Sequence, residues 1–514
     1  MSRLFRTRSI DALIRASEEP DKRLRKSLGP WSLTAFGVGA VIGSGIFILT
    51  GTAAAGQELQ FKSILNAPVL DLLISLMNGG GGNAVSTIGR QGAGPGISLS
   101  FLVTAFVCSF AALCYAELAS MIPIAGSAYT YAYAILGEIF AWIIGWDLIL
   151  EYAVSNMAVA VGFSAYFNDL LDGVFHVHLP KAFASPMIAN GAYTGSYFNI
   201  SALVILLILT YVLVRGVRES AGTNNVMVVV KIAAILIFVF GAAHAVKTTN
   251  WHPFLPNGYS GMLTGAAIVF FTYIGFDSVS TAAEECRQPQ RDLPFGIIMT
   301  LVVCAVLYIS VALVLTGIAN WKTLNSAAPV ADALKALGMN RIRGWVNAGA
   351  LVGMISSLLV FQFGQARVWF AMSRDGLLPK AFSKVHPKFK TPHVSTWIAG
   401  LFVGIPAGVW DIGTFADLSN IGTLFAFIVV SAGVLVLRKT QPERPRSFRA
   451  PWSPVTPILS IIFCLVLMLA LPLETWLRFF VWLCIGLVIY GLFGRKHSVL
   501  ESGEEPLASP AVIP

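Results

Sequence analysis

Apolar positions along this chain are continuous rather than periodic. Ten runs contain no Asp, Glu, Lys or Arg: 31–57, 92–116, 182–214, 251–276, 294–320, 344–366, 391–410, 417–437 beyond its first residue, 450–473 and 479–494. A helix of roughly 20 apolar residues crosses a hydrocarbon core, so each run predicts a membrane-spanning helix. Two further apolar stretches carry charges, 139–167 with Asp147 and Glu151 and 224–246 with Lys231. The pattern therefore predicts an all-α polytopic membrane protein with about twelve transmembrane helices.

Composition agrees, because only 12% of the 514 residues are charged, against about a quarter in ordinary globular domains. So few charges cannot coat a soluble body of this size. The formal charge of +9 could suggest nucleic acid until the basic residues are placed. Of the 35 Lys and Arg, 25 fall in the N-terminal segment, alternate loops and tail, 9 fall in the intervening loops, and Lys231 lies within a span. The positive-inside rule then puts both termini in the cytoplasm, with the cell inner (plasma) membrane as the expected location. No cleavable leader is expected, since the first apolar run is too long. The cysteines lie in or beside spans and predict no disulfide framework. His176 and His178 without a third ligand make a weak metal signal, so no metal and no cofactor are expected.

Residues 1–29 read as a cytoplasmic basic segment, either an interfacial helix or a charged tail. Residues 58–95 form an external insertion with an apolar part too short to span and a glycine-rich remainder. Two spans carry conspicuous glycine. The first contains Gly37, Gly39, Gly43 and Gly45, and the sixth contains Gly275 followed by Asp277. Glycine weakens a helix interior by roughly 1 kcal/mol relative to alanine. Non-helical backbone at membrane depth survives only where it is buried in protein or lines a cavity. Breaks in the first and sixth spans point to an inverted repeat with a binding site between its halves. Gly37 or Gly39 alone is equally explained by close helix packing.

The motifs G-V-G-A-V-I-G-S-G-I-F at 37–47, I-P-I-A-G-S-A-Y-T-Y at 122–131, G-W-D-L-I-L-E-Y at 145–152, G-F-D-S-V-S-T-A-A-E-E at 275–285, R-D-L-P-F-G-I at 291–297 and A-M-S-R-D-G-L-L-P at 371–379 run through most of the chain. In this order they resemble the amino acid-polyamine-organocation (APC) superfamily, and within it the cationic amino acid transporter family of bacterial type. The insertion at 58–95 departs from that pattern. The resemblance implies a LeuT-like fold: a first five-helix repeat over 30–246, an inverted second repeat over 247–437, two C-terminal spans over 438–494 and a cytoplasmic tail over 495–514. Spans 1, 2, 6 and 7 would rock against 3, 4, 8 and 9. It also implies secondary active uptake of L-amino acids, neutral or cationic, coupled to protons.

For such a substrate, a half-helix N-terminus suits the carboxylate and unwound carbonyls suit the ammonium. The mapped candidates are Ser44, Gly45 and Ile46 as N–H donors, with Gly43 at the break, and Ile42, Phe271 and Ile274 as acceptors. Phe276, beside Gly275, is either an aromatic gate or packing. Met354 and Ile355 are candidates for side-chain selection, with a plain lipid-facing or core position as the alternative. Lys231, Glu151 and Asp277 are the proton-coupling candidates, because ionisable groups inside a span are costly unless paired or wetted. Lys231 could instead snorkel to the interface, Asp277 could cap or gate, and of Asp147 and Glu151 one could be structural. The resemblance places the lysine where sodium sits in sodium-coupled folds. Glu284 and Glu285 beside Arg287 suggest a solvated salt bridge, and Arg374 with Asp375 a loop latch. No clustered nucleophile, base or metal set predicts an enzyme, and no polar stripe predicts a channel. A sodium symporter, an exchanger and an amino acid receptor remain as rivals. The expected partners are the amino acid, protons and the lipid bilayer, with no nucleic acid.

Overall fold

The computed structural model describes residues 28–78, 87–124, 127–189, 191–215, 221–389 and 391–498, together with Thr7, Ile10, Asp11 and Ile14. Most of the N-terminal segment, the tail and the glycine run after Asn78 lie outside the described residues.

Two helices open the described chain, α1 (Pro30–Val41) and α2 (Ser44–Ala55), bent by 49° at a two-residue break. Chain order continues through α3 (Val69–Met77), α4 (Ile97–Met121), α5 (Ser127–Ile135), α6 (Glu138–Leu170), α7 (Ile200–Arg215), α8 (Ala221–Ala242), α9 (Gly258–Val269) and α10 (Pro289–Ile318). Then come α11 (Pro329–Ala336), α12 (Asn340–Arg374), α13 (His393–Ala407), α14 (Ile412–Thr440), α15 (Val455–Leu469) and α16 (Leu473–Ile489). Among the described residues eight helices are long and apolar enough to cross a membrane, nine counting the bent pair as one, and α7, α13 and α15 are shorter apolar helices. This is a multi-pass membrane protein.

Burial orders the bundle. The apolar window of the α6 helix is 94% buried and that of α16 only 22%, so α6 runs through the interior and α16 lines the rim. α10 packs along α4 and α1, α12 lies between α6 and α8, and α14 packs on α6. Small residues set the close crossings, as expected where lipid supplies no hydrophobic drive between helices. A Cβ on Gly349 of α12 would fall 2.2 Å from that of Ala234 on α8, and one on Gly37 would meet Thr300 Oγ1 at 2.2 Å. Gly37 is thus a packing glycine. α16 is held to α6 by Trp146 stacked on Trp482 at 4.5 Å and by Trp142 Nε1, which donates to Gly486 O at 2.9 Å; Trp142 stacks on Trp146 along α6. Reciprocal Nε1 bonds to the partner carbonyls join Trp146 and Trp482.

The uncharged run at 182–214 is longer than its helix: it begins with a short 3-10 turn and a two-stranded hairpin, β3 (Ile188–Ala189) with β4 (Ala192–Tyr193), before α7. Absence of charge does not distinguish an apolar loop from a span. The insertion is ordered where described. β1 (Gly56–Ser63) pairs antiparallel with β2 (Thr87–Gln91), Gly56 opposite Gln91. Beyond β1 the chain docks on the α15–α16 turn, where Val69 N–H donates to Leu471 O at 3.2 Å and Leu473 N–H to Ala67 O at 3.0 Å. On the opposite face, Leu28 N–H donates to Glu285 O at 3.0 Å and Arg287 N–H to Leu28 O at 2.9 Å, so the segment before α1 straps onto the chain before α10. There too the buried Glu117 of α4 is gripped by Arg438 and by Ala450 N–H.

Candidate substrate and coupling site

The expected breaks in the first and sixth spans are present, and they face each other. α1 ends at Val41; Ile42 is extended (φ −80°, ψ 93°), and Gly43 precedes the first turn of α2. α9 tightens into a 3-10 turn (Phe270–Tyr273), Ile274 is extended, Gly275 takes φ 114°, and a second 3-10 helix runs over Phe276–Glu285. That φ lies in the region only glycine enters freely. A Cβ on Gly275 would also sit 3.2 Å from Ala40 Cβ, at the end of α1. A Cβ on Gly45 would lie 2.8 Å from Thr272 Cγ2 and 3.3 Å from Phe271 Cδ1. Each glycine therefore lets one broken helix seat on the other.

Ser44, Gly45 and Ile46 form the first turn of α2, where N–H groups have no acceptor within the helix. All are buried, and Ser44 Oγ has no partner among the described residues. The carbonyls on the other side of the break are largely taken. Lys231 of α8 is fully buried, and its Nζ donates to Gly39 O at 2.7 Å and Ile42 O at 2.8 Å. Ser357 Oγ of α12 lies within 3.3 Å of Gly39 O, Ala40 O and Ile42 O, and Tyr308 OH donates to Val41 O at 3.1 Å. The last carbonyls of a helix need partners from outside it, and three side chains from three helices supply them here. Lys231 accordingly does not snorkel. The Ile42 carbonyl, expected to accept from a substrate ammonium, already has two donors beside it, and the Phe271 carbonyl accepts from Ile274 N–H at 3.3 Å.

Met354 is fully buried on α12, one residue from Gly353, whose Cβ would lie 3.9 Å from Ile42 O; Ile355 is half-buried. Phe276 packs in an aromatic cluster, its ring 5.0 Å from Phe427 and 6.2 Å from Tyr115. Three carboxyl groups are enclosed in the bundle, Asp277 just after Gly275 and Asp147 and Glu151 on α6. Both oxygens of Asp147, Glu151 Oε1 and Asp277 Oδ1 lack hydrogen-bond partners among the described residues. Glu151 lies within electrostatic range of Asp277 and Asp147, and Thr423 faces it from α14. Tyr115 and Tyr152 stand in the same field of Glu151 and Asp277. Asp147 abuts α14, where a Cβ on Gly422 would meet its Oδ1 at 2.7 Å.

Outside the breaks one expectation changes, and another falls partly outside the described residues. Arg374 is exposed and Asp375 buried, and the Asp375 carboxylate accepts from Tyr129 OH of α5 at 2.7 Å. The latch in that motif is Tyr129–Asp375, because Arg374 points away to the surface. The Glu284 side chain lies outside the described residues, and Glu285 contributes its backbone carbonyl to the Leu28 strap. Ser357 and Tyr308 were not singled out from the sequence. A serine or tyrosine in a membrane helix is common enough that only its position opposite a broken helix marks it.

The model of the family described as amino acid permease matches residues 69–490. The chain belongs to this family. The permease is 46% identical over 500 residues to "Branched-chain amino acid permease BcaP" of Bacillus subtilis (strain 168), covering 97% of this chain and 99% of that protein. It is 45% identical over 501 residues to "Methylthioribose transporter" of the same organism, covering 98% and 100%. "Cationic amino acid transporter 9, chloroplastic" of Arabidopsis thaliana is 34% identical over 447 residues, covering 86% of this permease and 72% of that protein. The APC membership expected from the motifs is therefore established, and these relatives carry the names of permeases and transporters, not enzymes.

Proposed function

We propose that this permease takes up amino acids by alternating access, driven by protons. In this reading twelve spans, counting α1 with α2, α9 with its 3-10 continuation, and the three shorter helices, form two inverted five-helix repeats and a C-terminal pair. The membrane is the cell membrane with both termini cytoplasmic, which puts the insertion outside. The substrate carboxylate meets the N–H groups of Ser44, Gly45 and Ile46, its ammonium meets the unwound backbone around Ile274, and Phe276, Met354 and Ile355 border the side-chain space.

The observation that carries this reading is the Lys231 ammonium on the carbonyls of Gly39 and Ile42. A sodium ion held by α1 and α12 would need those oxygens, so the lysine stands against sodium coupling. An ammonium can also lose its proton, whereas a guanidinium effectively never does. Protonated, Lys231 ties down the end of α1; deprotonated, it keeps two N–H donors but loses the charge that strengthens both bonds, which loosens the broken span and lets it move. Glu151 and Asp277 are the further proton-exchanging groups, with Asp147 beside them.

The test is uptake into proteoliposomes of labelled leucine, a branched-chain amino acid chosen for the name of one relative, with and without an inward proton gradient. Wild type should accumulate leucine only with the gradient, and Lys231→Arg should not accumulate it at all. Gradient-driven accumulation by Lys231→Arg would overturn the lysine mechanism. Methylthioribose belongs in the same assay because of the other relative: uptake of it without any amino acid uptake would overturn the substrate class.

A further inference from the structure

A polar pocket of about 240 Å³ opens on the hairpin face, walled by residues of the insertion, α14 and α16 and sharing none with the helix breaks. Gln57 and Arg90, opposite each other in the hairpin, supply one wall. Asp411 and Asp417 come from the start of α14, and Glu474 and Arg478 from α16. The Arg90 side chain is only 7% exposed; it pairs with Asp417 through Nη2, and its Nη1 is buried with no partner among the described residues. Buried donors are nearly always bonded, so an unpaired guanidinium nitrogen on a residue that lines the pocket leaves a donor for an acceptor seated there. Asp411 caps no α14 backbone N–H; Thr414 Oγ1 donates to its Oδ1 at 2.7 Å, and the remaining acceptor capacity borders the pocket.

The charges constrain the occupant. Asp417 is paired with Arg90 and Glu474 with Arg478, so Asp411 is the carboxylate left without an ionic partner among the described residues: a simple anion leaves Asp411 unmet, and a simple cation leaves Arg90 Nη1 unmet. A molecule bearing both charges a short distance apart satisfies both. The volume is below the roughly 300–1,000 Å³ of pockets for drug-sized ligands, which suits a single free amino acid rather than a peptide.

We propose that this pocket is a second amino acid site, built by the insertion, in which Arg90 meets the carboxylate of a zwitterion and Asp411 its ammonium. The proposal rests on the reading that the permease carries amino acids. The helix breaks and this pocket would then hold two substrate molecules on one chain.

Equilibrium binding of radiolabelled L-leucine to the purified full-length protein tests it. Wild type should saturate at two leucines per chain. Arg90→Gln and Asp411→Asn should each saturate at one, with the remaining dissociation constant unchanged within about twofold. Arg90→Gln also breaks the Asp417 pair; if that variant does not fold, Asp411→Asn carries the test, since it leaves the pair intact. A single leucine on wild type, or two retained by Asp411→Asn, overturns the pocket. If wild type transports leucine while binding one, only the pocket fails; if it neither binds nor transports leucine, the pocket fails together with the substrate assignment above.

Discussion

Lys231, Ser357 and Tyr308 share one task, satisfying carbonyls that the break in α1 leaves without helical partners, but they differ in what their loss should do. Ser357→Ala removes a neutral donor, and a neutral hydrogen bond contributes about 0.5–1.5 kcal/mol net. The variant should melt a few degrees lower in detergent yet keep gradient-driven uptake; loss of uptake with unchanged melting would contradict a structural role. The carboxyl groups behave differently. If Glu151 or Asp277 exchanges a proton in the cycle, Glu151→Gln or Asp277→Asn should abolish accumulation driven by a proton gradient while substrate exchange across the same vesicles continues. Loss of both activities would make that residue structural. Lys231, Glu151 and Asp277 were legible in the sequence because an ionisable side chain inside an apolar run is expensive and hence conspicuous. The partner of Asp375 was not, because Tyr129 lies on a distant segment and sequence adjacency favoured Arg374.

For the broken helices, the glycine clusters at 43–45 and at 275 made both interruptions visible, since poor helix formers inside an apolar span weaken the helix at that point. What the pattern hid is which atoms crowd those glycines. Gly45 is a candidate N–H donor to the substrate, and its missing Cβ faces Thr272 and Phe271. Gly45→Ala should therefore destabilise the fold by about 1–3 kcal/mol, the usual range for overpacking. Thr272→Ser, which removes the Cγ2 at 2.8 Å and keeps the hydroxyl, should restore part of the melting temperature in the double variant. A double variant no more stable than Gly45→Ala would place the crowding elsewhere. Gly275 combines a positive φ with a close neighbour, so Gly275→Ala should have no comparable single-site rescue. The short helices α5 and α11 escaped the sequence pattern because segments of 9 and 8 residues fall below the length of a span.

On the scale of the whole molecule, the division of basic residues between alternate loops predicts sidedness. Five of the six cysteines are buried, and Cys484 is the exposed one. Burial also pushes the Cys286 thiol up to about 11, leaving little thiolate at neutral pH. In a Cys484→Ser background, a cysteine at Asn83 should react with an impermeant maleimide on intact cells, and one at Lys388 only after permeabilisation. The reverse pattern would invert the topology. That the chain carries eight or more apolar helices of membrane length was readable from the sequence because the bilayer sets a minimum length for each. The insertion was readable only as an interruption: nothing in its composition announces that it pairs with itself and leans on the α15–α16 turn.

That self-pairing makes residues 57–90 a cassette. Gly56 and Gln91 stand opposite each other in an antiparallel ladder, where paired Cα atoms are about 4.5–5.5 Å apart. A two-residue turn can join ends that close, so the cassette can be excised without stretching α2 or α4 away from their places. Its removal takes Arg90 with it. The same junction can accept a foreign loop, an epitope or a reporter, because the entropy of closing a longer excursion rises only slowly with its length. A short turn and a long hairpin are therefore geometrically interchangeable endings for α2, and the hairpin brings Arg90 to its pocket while the helices it joins keep their places.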